Sequence, residues 1–166
     1  MTGFSMFKVP RRFSLALLGV VLASLASLVM LAPGAQAAPA LDLSAYKGKV
    51  VYLDFWASWC NPCRQSFPWM NDLAASYGKD GLVVIAVNVD HDHGLAADFL
   101  QDNSANFKVV FDPQGRIASE FDFRDMPTSI LIGRDGKIHY VHSGFYLNRE
   151  GEYLSHIQKL LSERPS

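Results

Sequence analysis

The sequence predicts an α/β domain in which helices pack on a mixed sheet. Three observations predict it: two nearly continuous β-branched and apolar runs, at 50–55 and 82–89; a stretch of helical periodicity between them; and a late Asp-Gly turn flanked by two further strand-like runs. Apolar runs without polar alternation suit strands covered on both faces, and the order strand, helix, strand describes a βαβ unit. A hairpin then adds antiparallel strands to the parallel ones.

The elements follow in order. After a short lead-in, Leu41-Asp42-Leu43, the first strand is VVYLDF. Phe67, Met70, Leu73, Ala74 and Tyr77 then recur at helical spacing, in a helix that begins at about Asn61 and stops before Gly78. Pro68 falls inside that helix and should kink it. The second strand, LVVIAVNV, is followed by Leu95, Ala96, Phe99 and Leu100 on a second helix, a short strand at 107–111 and an Asp112-Pro113-Gln114-Gly115 turn. A short helix precedes the hairpin at 128–133 and 137–142, in which Asp135-Gly136 supplies positive φ angles. Tyr153, Leu154, Ile157, Leu160 and Leu161 mark one face of a closing amphipathic helix.

Ahead of this domain stand Lys8, Arg11 and Arg12, an apolar run at 13–32, and Ala35-Gln36-Ala37, a small-x-small cleavage pattern. Residues 1–37 read as a bacterial export signal cut after Ala37, leaving 38–166 as one domain with one core. The alternative is an uncleaved membrane tether, because roughly 20 mostly apolar residues can span a bilayer; Pro33-Gly34 and the pattern after it favour removal. Without the leader the chain carries 12 Lys+Arg against 16 Asp+Glu, a formal charge of about −4. That balance argues against nucleic acid or an anionic membrane surface as partner.

Chemistry concentrates in WASWCNPCRQSFP, which holds the only two cysteines, Cys60 and Cys63. Three explanations compete. A structural disulfide across so short a loop would restrict the unfolded chain little, by about 2 kcal/mol on the loop-entropy relation. A zinc site needs two more ligands, and the other soft ligands are scattered histidines. Redox chemistry fits the placement: Cys60 stands at a helix N-terminus, where free amides and the helix dipole favour a thiolate. Pro62 falls in the first turn, where its missing N–H costs nothing. Cys60 is then expected as the exposed nucleophile and Cys63, one turn on, as the shielded thiol that resolves the mixed disulfide. Asp54 points the same way, since burying a carboxylate in such a run raises its pKa and suits it to exchange a proton with Cys63; the alternative is a strand-end acid that sees water.

With these residues in place, DFWASWCNPC resembles the active-site strand and motif of the thioredoxin superfamily. The continuation RQSFP, the added helix and strand, and the hairpin after Met126-Pro127-Thr128 make the chain similar to the TlpA/ResA-like extracytoplasmic thiol-disulfide oxidoreductases, from about Leu41 to Ser162. The resemblance implies a thioredoxin-like fold with the TlpA-type insertion and a redox-active Cys60-Cys63 disulfide. It also implies Asp54 as buried acid and Pro127 as a cis-proline facing the cysteines. Partner specificity would fall on Met126 and Thr128, and Trp59 would offer a partly exposed apolar surface while Trp56 packs in the core. Members dedicated to cytochrome c maturation often carry a glutamate where this chain has Ser66, and no acid follows Pro127. A general TlpA-like reductase fits better.

The expected activity is reduction of protein disulfides outside the cytoplasm, in the periplasm, with no bound cofactor because the dithiol carries the electrons. Re-reduction needs a source of electrons in that oxidising compartment, and the resemblance implies a membrane electron donor of the DsbD/CcdA type. A disulfide-donating oxidase is the alternative within the class. A copper- or zinc-binding module using Cys60, Cys63 and a histidine is the alternative outside it. His91 and His93 are expected in a solvated loop, and His139 and His142 on opposite faces of the last strand, so no metal site is assigned.

Overall fold

The computed structural model describes residues 41–122 and 124–164, and the expected leader lies outside the described residues. Strand β1 (Val50–Trp56) is buried at every position. The reason is its place in the sheet: β2 (Leu82–Asn88) pairs with it in parallel, Val50 opposite Leu82 through Trp56 opposite Asn88. On its other side β4 (Thr128–Ile132) runs antiparallel, Val51 opposite Ile132 through Phe55 opposite Thr128. With β3 (Lys108–Phe111) parallel to β2 and β5 (Ile138–Ser143) antiparallel to β4, the order is β3-β2-β1-β4-β5. This is the mixed α/β sheet the sequence predicts. The antiparallel register also has a functional result: the start of β4, directly after Pro127, lies beside the end of β1, just before the cysteine motif.

Among the described residues three α-helices pack on this sheet: α1 (Asn61–Tyr77), α2 (His93–Asp102) and α3 (Glu150–Ser162). Helix α1 is one element with Pro68 inside it. Helix α2 starts two residues before the first apolar position of its stripe, because the Asp92 carboxylate caps it by accepting from Gly94 N–H at 2.8 Å. The expected short helix is a 3-10 turn, Ala118–Glu120. In the hairpin only Gly136 takes a positive φ, of 75°. Asp135 does not share that conformation, so the loop is closed by Gly133 N–H to Lys137 O and Gly136 N–H to Gly133 O, both 2.9 Å, rather than by a two-residue turn.

Strand alternation divides the core. Val50, Tyr52 and Trp56 point to the face covered by Phe67, Met70 and Leu73 of α1, Phe99 of α2 and Ile157 and Leu160 of α3. The Trp56, Phe67 and Phe99 rings meet there at centroid distances of 4.6–4.9 Å, and burying each such ring contributes on the order of 2–3 kcal/mol. Val51, Leu53 and Phe55 face the other way, against Ile117, Ala118 and Phe121 around the 3-10 turn and Leu41, Leu43 and Tyr46 of the lead-in. All three helices thus contribute to one face.

At the end of the sheet away from the motif, Arg134 ties three segments together. Its guanidinium donates to the carbonyls of Gly48 (2.8 Å), Asp80 (3.0 Å) and Leu161 (3.1 Å). The last of these is one of the carbonyls that a helix C-terminus leaves without an intrahelical partner.

Candidate active site

Cys60 and Cys63 form a disulfide across the first turn of α1, with Cα atoms 5.3 Å apart. Cys60 is the N-cap residue, its Sγ accepting from Cys63 N–H at 3.3 Å, and Pro62 occupies the first turn. No acid stands in that turn, so nothing there offsets the positive end of the helix dipole.

The loop entering the helix is held from below by an arrangement that sequence reasoning missed. The buried Asp90 carboxylate accepts from Ser58 N–H (2.8 Å), Ser58 Oγ (3.0 Å) and Asn88 Nδ2 (2.8 Å). Val89 N–H donates to Trp56 O at 3.0 Å, and Cys60 N–H to Ala57 O at 3.1 Å. The end of β2 therefore positions the end of β1 and the residues before Cys60. The signal available in the sequence was a pair of polar residues, Asn88 and Asp90, closing a buried strand.

The structure corrects the expected exposure of the nucleophile. Cys63 is fully buried, and Cys60 retains only 4 % of its accessible surface. Both sulfurs belong to the helix-side core because the disulfide and the N-cap contact turn the Cys60 side chain back against α1. Cys60 is the less buried of the two, but neither side chain stands free in solvent.

Asp54 is fully buried on β1. Its position, two residues from Tyr52 and two from Trp56, places it on the face that carries Cys60 and Cys63. Neither carboxylate oxygen has a partner of full hydrogen-bond geometry. Burial holds its pKa well above the ordinary carboxylate range, and the Ser129 hydroxyl opposite it in the β1–β4 ladder only partly offsets this. Tyr52 Oη donates to that hydroxyl at 2.7 Å, leaving the Ser129 proton free for Asp54.

The Met126–Pro127 peptide bond is cis. Pro127 O accepts from Gly144 N–H at 2.7 Å, which ties the turn to the end of β5. Met126 and Asp125 line a cavity of about 320 Å3 together with Pro62 of the cysteine motif and Phe145 and Tyr146; the fold thus brings the two motifs together. Thr128, expected beside a partner, is fully buried and donates its hydroxyl to Asp125 O at 2.7 Å. Its side chain serves the turn, and Met126 is what the cavity presents. Trp59 is 68 % exposed and Trp56 fully buried.

The histidines do not gather at the cysteines. His91 Nδ1 lies 2.9 Å from Pro113 O, the His93 ring lies tilted against Phe111 with centroids 4.1 Å apart, and His139 lies 3.0 Å from the Asp135 carboxylate. His142 faces His156 of α3, with Nε2 and Nδ1 3.0 Å apart. Burial, and then the neighbouring His156, lower the His142 pKa to about 4. Among the described residues no group of three or more His, Cys, Asp or Glu is placed to hold a metal ion, and no helix is long and apolar enough to cross a membrane.

Comparisons with known proteins agree with this geometry. The Redoxin family model matches residues 30–157. The thiol-disulfide oxidoreductase ResA of Bacillus thuringiensis is 36% identical over 98 residues, which is 59% of this chain and 57% of that protein. ResA of Bacillus subtilis is 35% identical over 104 residues, 63% of this chain and 58% of that one. The chain thus spans somewhat more than half the length of these curated relatives. Among solved structures, a candidate thiol:disulfide interchange protein DsbE from Chlorobium tepidum superposes with a TM-score of 0.71 and 47% identity, over 74% of this chain and 86% of that one. The pneumococcal lipoprotein thioredoxin Etrx1 follows at a TM-score of 0.62 and 32% identity, over 71% and 90%. The chain belongs to the Redoxin family and has a thioredoxin-like fold.

Proposed function

We propose that this protein is a thiol-disulfide oxidoreductase that reduces disulfides in partner proteins outside the cytoplasm. The observation that carries the reading is the Cys60–Cys63 pair at the N-terminus of α1, with a fully buried Asp54, faced only by the Ser129 hydroxyl, on the same side of the sheet. In the reduced protein the Cys60 thiolate, favoured by the helix dipole, attacks one sulfur of a substrate disulfide. A mixed disulfide forms and the first substrate thiolate leaves. Cys63 then passes its proton to the ionised form of Asp54 and attacks Cys60 Sγ. The Cys60–Cys63 bond forms, the mixed disulfide breaks and the second substrate thiolate leaves. Two electrons have moved from the dithiol to the substrate, with no further cofactor.

Met126 and Pro127 would lie along the substrate backbone beside the disulfide, and Trp59 would offer apolar surface on the opposite flank. The leader at 1–37 supports export to the periplasm, and the need for fresh electrons there supports a membrane donor of the DsbD/CcdA type. The test is insulin reduction by the protein with dithiothreitol, beside the Cys63→Ala variant incubated with disulfide-bonded partners. Catalysed precipitation of insulin and a stable mixed disulfide at Cys60 are expected. Tight stoichiometric metal binding without turnover would overturn the reading, and a potential near that of DsbA rather than thioredoxin would reverse the direction of electron flow.

A further inference from the structure

The flank of the disulfide away from the Met126 turn holds a second concavity, and its chemistry differs from the first. A cavity of about 270 Å3 opens between the start of α1 and α2, lined by Trp59, Arg64, Leu95, Asp98 and Asp102 over a floor that includes Phe99. Leu95, Asp98 and Asp102 are spaced three and four residues apart and form one stripe along α2. Trp59 and Leu95 are 68 % and 50 % exposed, giving the cleft two apolar walls one residue from Cys60.

Its charge is not balanced from within. The one cation, Arg64, has its guanidinium 4.8 Å from the centre of the Phe99 ring and donates to Ser58 O at 3.3 Å. Among the described residues it makes no ion pair with Asp98 or Asp102. Asp98 has only a long contact from Gln101 Nε2, at 3.4 Å. Asp102 closes α2, where the helix dipole disfavours an anion and no basic residue stands in the last turn. Helix stability alone therefore does not account for an acid there.

We propose that this cleft is a specificity subsite that seats a lysine or arginine of the substrate polypeptide next to its reacting cysteine. A long basic side chain has the matching form: an apolar stem to lie between Trp59 and Leu95, and a cationic head to reach Asp98 and Asp102. The formal charge of about −4 on residues 38–166 favours approach of the same kind of partner. The proposal rests on the exchange reading above and adds the class of substrate sequence.

The test uses three short peptides, each with one cysteine held as a mixed disulfide with thionitrobenzoate and flanked by lysine, norleucine or glutamate. Release of thionitrobenzoate by the reduced protein is followed by absorbance. The lysine peptide should react about three- to tenfold faster than the glutamate peptide at low salt, with the difference shrinking at high salt. The Asp98→Asn/Asp102→Asn variant should bring the lysine peptide down to the norleucine rate; a fold-preserving check is its far-UV spectrum and melting curve. Equal rates for all three peptides, or a lysine preference that survives in the variant, overturns the subsite and leaves dithiol exchange standing. No release from any peptide, by a protein whose two thiols titrate, overturns exchange itself and the subsite with it.

Discussion

Asp54→Asn changes one atom of a fully buried side chain and gives a direct test of the site's electrostatics. In the fold, burial holds the Asp54 pKa well above the ordinary carboxylate value, and the unfolded chain releases it to that ordinary value near 3.8. Between the two, the folded protein keeps one proton that the unfolded chain has lost. The sign follows: stability from this group is fully present below about pH 4 and is lost as pH rises toward the raised folded value. The slope for one proton is about 1.4 kcal/mol per pH unit. Asparagine carries no proton to lose, so the variant should gain on wild type by that slope as pH rises from about 4. Urea unfolding of the oxidised proteins, measured at half-unit steps from pH 4 to pH 8, reads the difference directly. Two parallel stability curves would show that Asp54 is ionised in the fold and would refute the argument. The same substitution should slow resolution of the Cys60 mixed disulfide by about 10²- to 10⁴-fold, the usual contribution of a positioned proton acceptor.

Other perturbations separate structural from functional roles. Arg134→Ala removes three hydrogen bonds to backbone carbonyls and should lower unfolding free energy by about 2–4 kcal/mol in denaturant titration, with reactivity of the reduced dithiol unchanged once folded. Trp59→Ala, at a side chain 68 % exposed, should move stability by no more than about 0.5 kcal/mol yet weaken peptide exchange, read as a raised KM. His142 is depressed to about 4, so the fold loses stability as pH falls from 6.5 toward 4. With allowance for solvent screening the loss is on the order of 1–2 kcal/mol, and His142→Gln should flatten that acid limb of the melting-temperature profile.

Much of this architecture is written in local pattern. The start of α1 at Asn61, its stop at Tyr77 and the span of β1 all follow from residues within a turn or two of themselves: the Pro62 position, the helical stripe from Phe67 and the uninterrupted apolar run. The redox pair was legible for the same reason, since its two members sit three positions apart. What stayed hidden joins distant segments through side chains. Arg134 reaches carbonyls 86, 54 and 27 positions away, His142 meets His156 from another element, and Asp90 holds Ser58 from 32 positions downstream. No spacing rule marks such a partner in advance. The exposure expected for Cys60 failed on a related ground, because an N-cap position fixes the backbone but not the direction in which a sulfur bonded to the next turn will point.

The uneven dressing of the sheet has a consequence for how the molecule opens. One side is roofed by long hydrogen-bonded cylinders; the other is closed by a lead-in strip and a single tight coil around Ile117 and Phe121. Amides in that thinner cover should exchange with deuterium through small, independent excursions, while those under the roof wait for global unfolding. Breathing on one side then leaves the sulfur chemistry on the other undisturbed.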